Sequence, residues 1–495
     1  MRDVVRVRSF SCVGFEDREV GIEVLKSRGL QQLSLTGLPG PWLRDSRDKL
    51  RSLAARRGTW GSLDRLLVHL LPCDESKAGA HLETPIVLAC RLALEEEVPE
   101  ATLARVRDYA FIGSLGLDGS LRPTEESKLL EDLYPGQVLG PSRFATIEAL
   151  WDYLVDPDVD RCPPERAHDS FVAPIAERSV RVEGRALERF LLGAASLQRL
   201  PVLLMGPPGV GKSHLALWAR SLVAPPDAAL QSAIRRIWSL AGSEVPRRPF
   251  VAPHSRVHVA ELVGRSRAGR AHPGFFSLAH GGLLVLDEFS ELNRDSREIL
   301  RTVLDSREIR RNGLQGPVRW PADFWFIATS NPCACGYFGS NRTNCRCTTV
   351  ARQTYSSRLS GPLLDRFALK LFLTEGEATR GKRRRPSADE ASEDEWPRLP
   401  EDEGQLEARL ERARRALTPA LESTARERVL RHAPNASRRE IENEIRLFSA
   451  FLALDLEPER GEMLLQVLRA QNRSHLFAEN PHASTSVRPD ALRSL

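Results

Sequence analysis

The sequence predicts an α/β protein whose centre is a parallel β-sheet, with an α+β domain before the sheet and helices after it. A glycine-rich loop at 206–213 lies between a short apolar run and a helical pattern. A second apolar run, 281–286, ends in two adjacent acids. From about 180 to 374, apolar runs alternate with helical spacing, which is typical of strands buried between two layers of helices.

The composition is that of a globular protein with several domains. The chain has 495 residues, of which 41% are hydrophobic and 28% charged, so roughly two to four domains with sizeable cores are expected. No apolar stretch is long enough to cross a bilayer, and the N-terminus lacks a secretory h-region, which predicts a cytoplasmic location. The net charge of +5 is compatible with nucleic acid but does not decide the partner.

Shifts in composition divide the chain into segments. A stretch rich in proline and charge at 156–166 marks the first boundary. Further on, four basic residues followed by acids cannot bury a core and predict a disordered linker. The predicted segments are an α+β domain at 1–172, the parallel-sheet core at 173–379, the charged linker at 380–404, a helical domain at 405–478 and a tail at 479–495.

The loop at 206–213 fits the phosphate-binding pattern G-x-x-x-x-G-K-[ST]. Because a strand precedes it and a helix follows, backbone N–H groups can surround a triphosphate, Lys212 can reach the β- and γ-phosphates, and Ser213 can ligate Mg²⁺. The alternative is a glycine-rich turn without a ligand. The residues expected to hold ATP are Gly206, Pro207, Pro208, Gly209, Val210, Gly211, Lys212 and Ser213.

Two acids follow directly after the apolar run 281–286. We expect Asp287 to complete the Mg²⁺ shell with Ser213, and Glu288 to polarise the water that attacks the γ-phosphate. The alternative is a core strand capped by surface acids. The phosphate loop upstream, at a domain-sized distance, favours the catalytic interpretation.

Five further strings, in this order, resemble the magnesium-chelatase-like branch of the AAA+ ATPases, and within it the YifB/ComM family. They are RPFVAPH at 248–254, PGFFSLAHGG at 273–282, NPCACGYFG at 331–339, CRC at 345–347 and RLSGPLLDR at 358–366. These strings are long and rarely shared, so they are more specific than the phosphate loop alone. The resemblance implies an AAA+ core with a C-terminal helical lid, and ATP hydrolysis in a homo-oligomeric ring, expected to be a hexamer.

The resemblance also implies roles for further residues. Asn331 matches the polar sensor between the acids and the γ-phosphate, where an amide can orient water without adding charge. Arg366 matches the arginine finger presented to the neighbouring subunit's ATP, with an ion pair to Asp365 as the alternative. Arg439 is the candidate second sensor of the lid. Arg438 is the next candidate, because the residues after this string depart from the family pattern.

The first domain resembles the Lon protease S5-like domain in the segments 37–39 and 44–52. A Ser–Lys protease of that fold carries its nucleophile just after the glycine of a K-x-G turn. Here the turn at 77–79 is followed by Ala80, and Ser76 precedes it. We therefore expect a scaffold or substrate-binding domain rather than a peptidase.

Two C-x-C pairs, separated by nine residues, follow closely after Asn331. In a reducing compartment, four thiolates at this spacing indicate a tetrahedral Zn²⁺ site that fixes the loop. Free or redox-active thiols are the alternative. The candidate ligands are Cys333, Cys335, Cys345 and Cys347.

The segment 306–320 predicts a β-hairpin with Asn-Gly at its turn and arginines beside it. In related ring ATPases such a hairpin projects into the central channel, so Arg310 and Arg311 are expected to contact a DNA backbone. An exposed hairpin with solubilising charges is the alternative. Weaker candidates of the same kind are Arg265, Arg267 and Arg270.

The resemblance to ComM-like proteins implies a motor that acts on single-stranded or branched DNA, by helicase or branch-migration activity during recombination of incoming DNA. Two other functions stay open. One is a subunit that remodels a protein partner, as the chelatase motor subunits do. The other is a nucleotide-binding regulator with little turnover.

Overall fold

The computed structural model describes most of the chain and the whole region of the predicted nucleotide site. The described residues are 4–13, 15–37, 39, 43, 46–56, 60–73, 79–156, 182, 185–267, 270–313, 316–375, 403–431 and 436–473. The predicted tail lies outside them, as does the charged linker apart from its last two residues. Among the described residues, no helix combines the length and the apolar character needed to span a bilayer.

The N-terminal region folds around a mixed six-stranded sheet. Its strands pair in the order β3-β4-β2-β1-β5-β8, and the β1–β2 and β2–β4 pairs are antiparallel. Buried positions alternate along β1 and β2, so one face of these strands lies on the core. The strands of this region are β1 Val5–Val13, β2 Glu16–Arg28, β3 Gln32–Thr36, β4 Asp64–Leu71, β5 Ala110–Phe111, the separate pair β6 Ser114–Leu115 and β7 Leu121–Arg122, and β8 Val138–Leu139.

Helices cover this sheet and complete its core. They are α1 Arg47–Ala55, α2 Glu83–Leu94, α3 Glu100–Asp108, α4 Glu125–Leu133 and α5 Ile147–Val155. Helix α2 is buried along its whole length, because it packs against α1 and against strands β1 and β2. Helix α4 begins at a capping box in which Thr124 and Ser127 exchange side-chain and backbone hydrogen bonds.

The predicted parallel sheet is present at the centre of the chain. Its five strands lie in the order β10-β13-β16-β9-β17, and all neighbours are parallel. Every residue of β9, β13 and β16 is buried, which explains why β9 and β13 are apolar throughout and β16 is apolar up to Ala328. The strands of the sheet are β9 Val202–Met205, β10 Phe250–Val251, β13 Leu283–Leu286, β16 Trp325–Ser330 and β17 Leu369–Phe372.

Two antiparallel hairpins stand outside this sheet, β11 (Arg265–Arg267) with β12 (Arg270–His272) and β14 (Glu308–Gly313) with β15 (Gly316–Pro321). The second hairpin corrects the predicted turn. Asn312 pairs with Pro317 and Gly313 with Gly316, so Asn-Gly lies in the paired part of the hairpin and not at its turn. This register places Ile309 opposite Trp320, both buried on one face, and burial rather than the turn sequence decides it.

Helices flank the sheet and follow it. Those before β17 are α6 Ala186–Leu197, α7 Lys212–Trp218, α8 Ala228–Leu240, α9 Val259–Val263, α10 Phe275–Leu278, α11 Arg294–Ser306, α12 Thr349–Ser356 and α13 Gly361–Leu364. The predicted C-terminal helices are α14 Glu403–Ala416, α15 Pro419–Arg431, α16 Arg438–Ala453 and α17 Pro458–Arg473. Leucines of α14 and α17 share one apolar core with β9, so the last helices pack on the sheet.

The turn between β1 and β2 reaches into the core of the parallel-sheet region. Val13 belongs to the same apolar cluster as β13 and β16, and Phe15 packs against that cluster. The Phe15 amide donates to the Arg319 carbonyl of β15 at 3.3 Å. The N-terminal sheet and the basic hairpin are therefore in direct contact.

Candidate nucleotide site

The predicted site residues come together at one edge of the parallel sheet. The phosphate loop follows β9, Asp287 and Glu288 follow β13, and Asn331 follows β16. Since β16 lies between β9 and β13, and all three strands are parallel, the three chain segments emerge side by side. The carboxyl edge of a parallel sheet is where ligands bind in such folds.

The loop itself is held close to β17. A Cβ at Gly206 would lie 2.4 Å from the Leu373 carbonyl oxygen, so only glycine fits there. Gly209 and Gly211 have φ angles of 81° and 91°, and helix α7 begins directly after them. The loop therefore turns sharply from strand to helix, with Pro208 and Gly209 exposed.

Lys212 is buried and points into the concave side of the loop. Its Nζ donates to the carbonyl oxygens of Gly206 and Pro207 at 2.7 and 2.9 Å, and to Asn331 Oδ1 at 3.1 Å. Burial lowers the pKa of this ammonium, while the charges of Asp287 and Glu288 act in the opposite direction. Lys212 thus connects the phosphate loop with the end of β16.

A hydroxyl and a carboxylate face each other beside Lys212. Ser213 Oγ lies 3.2 and 3.0 Å from the two carboxylate oxygens of Asp287. Both side chains are exposed at the sheet edge. Three oxygens so placed are the hard ligands that Mg²⁺ prefers, and the pair therefore fits the predicted metal role.

Thr329 is a site residue that the sequence did not single out. Its hydroxyl donates to Asp287 Oδ1 and accepts from the Glu288 amide at 3.2 Å. The strand register explains this contact, because Leu286 pairs with Ala328, and Asp287 and Thr329 are the residues that follow them. The available signal was a hydroxyl residue at the end of an apolar strand that precedes a polar sensor.

Glu288 has an unusual backbone. Its φ and ψ of 51° and 45° are left-handed, which is uncommon for a residue with a side chain. This conformation ends the strand and starts the short turn Phe289–Glu291. As a result the Glu288 side chain is exposed at the sheet edge beside Asp287. A backbone outlier at this place is consistent with a functional constraint.

Arg366 lies at the opposite edge of the sheet. It precedes β17, whose first residue Leu369 pairs with Val202 at the start of β9, whereas the phosphate loop follows the end of β9. The four residues of β9 span about 13 Å. Arg366 therefore lies near the amino ends of these strands, whereas the phosphate loop of its own chain lies at their carboxyl ends.

Arg439 lies beside Arg366 rather than at this phosphate loop. Both guanidinium groups donate to the carboxylate of Asp305, at the end of α11, and Arg439 Nη2 lies 3.2 Å from Oδ1. The ion pair of Arg366 is thus with Asp305, and not with Asp365 as the alternative had it. Sequence proximity suggested Asp365, but the helix end brings a carboxylate from 61 residues away. Arg438 is exposed at the start of α16.

The two arginines predicted to contact DNA differ in their surroundings. The Arg310 side chain is 70% exposed and pairs with Glu308 on the same strand. The Arg311 guanidinium donates to the Gly264 carbonyl, next to hairpin β11–β12. Arg265, at the start of that hairpin, is exposed. The side chains of Arg267 and Arg270 lie outside the described part of the molecule.

The four clustered cysteines form a single compact group. All four sulfurs lie within 4.8 Å of one another, and none is in a disulfide. Burial raises the pKa of Cys333 to about 12. At Cys335, burial is outweighed by hydrogen bonds from backbone amides, which lower its pKa to about 6.

The N-terminal region holds a buried histidine, His81. Its ring nitrogens lie close to a carboxylate and a carbonyl oxygen, as those of a catalytic histidine often do. His81 Nδ1 lies 3.0 Å from Glu126 Oε2, and its Nε2 lies 2.9 Å from the Phe10 carbonyl oxygen. The ring is completely buried, so neither nitrogen can be reached from solvent. Ser76 and Lys77 lie outside the described residues. The described part therefore supports a structural role for His81.

Comparisons with known proteins identify the family. The family described as "Magnesium chelatase, subunit ChlI" matches residues 180–380, and "Subunit ChlI of Mg-chelatase" matches residues 22–130. An uncharacterized protein of Mycobacterium tuberculosis is 30% identical over 442 residues, which cover 79% of this chain and 83% of that protein. The protein YifB of Salmonella typhimurium is 29% identical over 388 residues, covering 74% and 75%.

The competence protein ComM of Haemophilus influenzae is 27% identical over 393 residues, covering 74% of this chain and 75% of ComM. The fold and the matches together define a magnesium chelatase-like AAA+ ATPase. Within this class, the chain belongs to the YifB/ComM family. The resemblance predicted from the sequence is confirmed.

Proposed function

We propose that this chain is a ring-forming ATPase that acts on DNA, by helicase or branch-migration activity in recombination or natural transformation. The observation that carries the ATPase part is the meeting of Lys212, Ser213, Asp287 and Asn331 at one sheet edge. These residues follow the ends of three neighbouring strands. They supply an ammonium group, a hydroxyl, a carboxylate and an amide. Together they are what phosphoryl transfer requires of a protein, namely positioning and charge neutralisation.

Each residue has a role that its contacts support. Lys212 would bind the β- and γ-phosphates, and Ser213 with Asp287 would hold Mg²⁺, which neutralises charge on the phosphates. Asn331, whose Oδ1 accepts a hydrogen bond from Lys212, would orient the attacking water. Glu288 would accept the proton of that water, and its exposed position beside Asp287 leaves it free to do so.

Assembly is part of the proposed chemistry. Arg366 precedes β17, at the end of the strands opposite to the phosphate loop of its own chain, so the loop that it would serve is that of a neighbouring subunit. Arg439 shares its carboxylate partner and would arrive at the same interface. A head-to-tail contact of this kind generates a ring when it closes, and we propose a hexamer.

A mixing experiment tests this arrangement. The Glu288→Gln chain lacks the base, and the Arg366→Ala chain lacks the finger, so each alone should hydrolyse ATP at least about 100-fold more slowly. If the finger acts across subunits, mixed rings contain interfaces with both intact groups, and activity should partly return. No recovery in verified mixed rings would contradict an inter-subunit finger.

The DNA part rests on the basic hairpin and on the similarity to ComM, a competence protein. Arg310 is exposed on β14, as a phosphate contact requires. We expect branched or single-stranded DNA to stimulate ATP hydrolysis at low salt, and this stimulation to be lost in an Arg310→Ala, Arg311→Ala chain. The family name favours a second candidate, remodelling of a protein partner. A chain that binds no DNA, and whose ATP hydrolysis no DNA stimulates, would favour this second candidate.

A further inference from the structure

We propose that Cys333, Cys335, Cys345 and Cys347 bind one zinc ion, and that this ion braces the sensor end of β16 against the phosphate loop. The second half of the proposal rests on the proposed ATPase function. The first half does not, because it depends only on the four sulfur atoms and their surroundings.

The sulfur positions fit a single tetrahedral metal. The Sγ atoms of Cys333 and Cys335 are 3.4 Å apart, those of Cys335 and Cys345 3.5 Å, and those of Cys333 and Cys345 3.7 Å. A tetrahedron with Zn–S bonds of about 2.3 Å has sulfur–sulfur edges of about 3.8 Å. A disulfide requires about 2.05 Å. An iron–sulfur cluster would hold the thiolates further apart, since its own sulfides lie between them.

The backbone brings the first pair of ligands together. The Gly336 amide donates to the Cys333 carbonyl oxygen at 2.9 Å, so Cys333 and Cys335 lie on one tight turn, with their sulfurs 3.4 Å apart. Four sulfur ligands leave no open coordination position, which makes the site structural rather than catalytic.

One side of this cysteine loop touches the phosphate loop. Cys333 follows Asn331 by two residues, and Asn331 accepts from Lys212. Gly336, with φ of 84°, approaches so closely that a Cβ there would lie 2.9 Å from Pro208 Cγ. The metal would therefore fix the segment that positions Asn331 and supports the outer face of the phosphate loop.

The other side of the cysteine loop leads to the turn Phe289–Glu291, which directly follows Glu288. After Cys347, Thr348 caps helix α12, and the Tyr355 hydroxyl of that helix lies 2.5 Å from Ser290 Oγ. Ser290 follows Glu288 by two residues, and its Oγ also accepts from Ser330 at 3.2 Å. The cysteine loop thus connects, through short contacts, to both strand ends that carry Asn331 and Glu288.

The first measurement is metal content. The full chain, purified without chelator or added metal, should contain one zinc per chain, and reconstitution with Co²⁺ should give the strong visible absorption of a tetrahedral tetrathiolate site. Cys335→Ser and Cys347→Ser should lose the metal, whereas Cys73→Ser, at an exposed lone cysteine, should keep it. Wild-type protein that stays free of zinc and gives no cobalt spectrum would overturn the site.

The second measurement separates binding from hydrolysis. In the folded Cys347→Ser chain, ATP affinity should change little, while kcat should fall about 100-fold, because a displacement of about 1 Å at the reacting groups costs that much. If the Cys347→Ser chain loses zinc but keeps its kcat, the bracing role is refuted while the zinc site stands. A wild-type chain that binds zinc but hydrolyses no ATP under any condition would refute the proposed ATPase, and with it the brace, and again leave the site.

Discussion

Two polar networks in this molecule use similar side chains in opposite ways. At the carboxyl edge of the parallel sheet, Ser213, Asp287 and Glu288 are exposed, and the hydroxyl–carboxylate distances are 3.0–3.2 Å. Between the N-terminal sheet and helix α8, the Asp17 carboxylate accepts hydrogen bonds from Nη1 and Nη2 of Arg236 at 2.6 and 2.5 Å. The first network is open on the solvent side and the second is closed.

The closed network continues through the N-terminal region. The Tyr134 hydroxyl donates to Asp17 at 2.9 Å, and the Cys12 amide donates to Glu126 at 2.9 Å. Glu126 in turn holds His81, which is completely buried. The comparison teaches that the type of side chain does not identify a catalytic site. A site that binds a ligand keeps polar groups accessible, whereas a structural network satisfies them within the chain.

The largest effect should come from the open network. Lys212→Ala removes the cation expected at the phosphates, and ATP hydrolysis should fall about 1,000-fold. The urea midpoint of unfolding should hardly change, because burial already disfavours the charged ammonium in the folded state, as its lowered pKa indicates. Steady-state rates and denaturation curves check this. A strongly lowered midpoint would mean that the network is structural after all.

The next effect should be on stability and arise in the closed network. Asp17→Ala leaves the Arg236 guanidinium buried without its carboxylate, which should reduce the free energy of unfolding by about 3–5 kcal/mol. Glu19→Ala, at an exposed position of the same strand, is the matched control and should stay within about 0.5 kcal/mol of wild type. Below the melting transition the ATPase rate per folded chain should be unchanged. A lost rate in folded protein would contradict the division between the networks.

A smaller effect tests the boundary of the open network. Thr329→Val removes the hydroxyl shared by Asp287 and the Glu288 amide, and kcat should fall about 10- to 100-fold, as for a hydrogen bond to a charged group. The variant should also need more Mg²⁺ for half-maximal activity, since Asp287 loses its orienting partner. Thr329→Ser keeps the hydroxyl and should retain most activity. Equal losses in both variants would indicate packing as the cause.

The smallest effect concerns the basic hairpin β14–β15. It contacts the closed network through Phe15, whose ring lies 5.1 Å from the Arg236 guanidinium and whose amide donates to Arg319. Arg310→Ala should weaken DNA binding uniformly across sequences and reduce the slope of log affinity against log salt by about 1. Arg311→Ala should instead loosen the contact with Gly264, with a smaller change in the salt slope. Titrations at several salt concentrations distinguish the two. Identical salt slopes for the two variants would contradict the different roles given to Arg310 and Arg311.

Much of the fold and site is readable in short stretches of sequence. The buried strands β9 and β13 are continuous apolar runs, β16 is apolar up to Ala328, and the phosphate loop and the acid pair each lie within a few consecutive residues. The parallel sheet and the cysteine group follow from such local patterns. The turn of hairpin β14–β15 does not, because cross-strand burial outweighs the local preference of Asn-Gly.

The sequence by itself determined which residues can bind a phosphate, a metal or a sulfur-seeking ion, because those chemistries require particular side chains at short spacing. Only the tertiary structure decided which of them meet. It placed Thr329 on Asp287, joined Arg366 and Arg439 at Asp305, and closed the Asp17 network on Arg236, 219 residues away. Such contacts depend on strand register and on packing between distant elements, which no local pattern encodes.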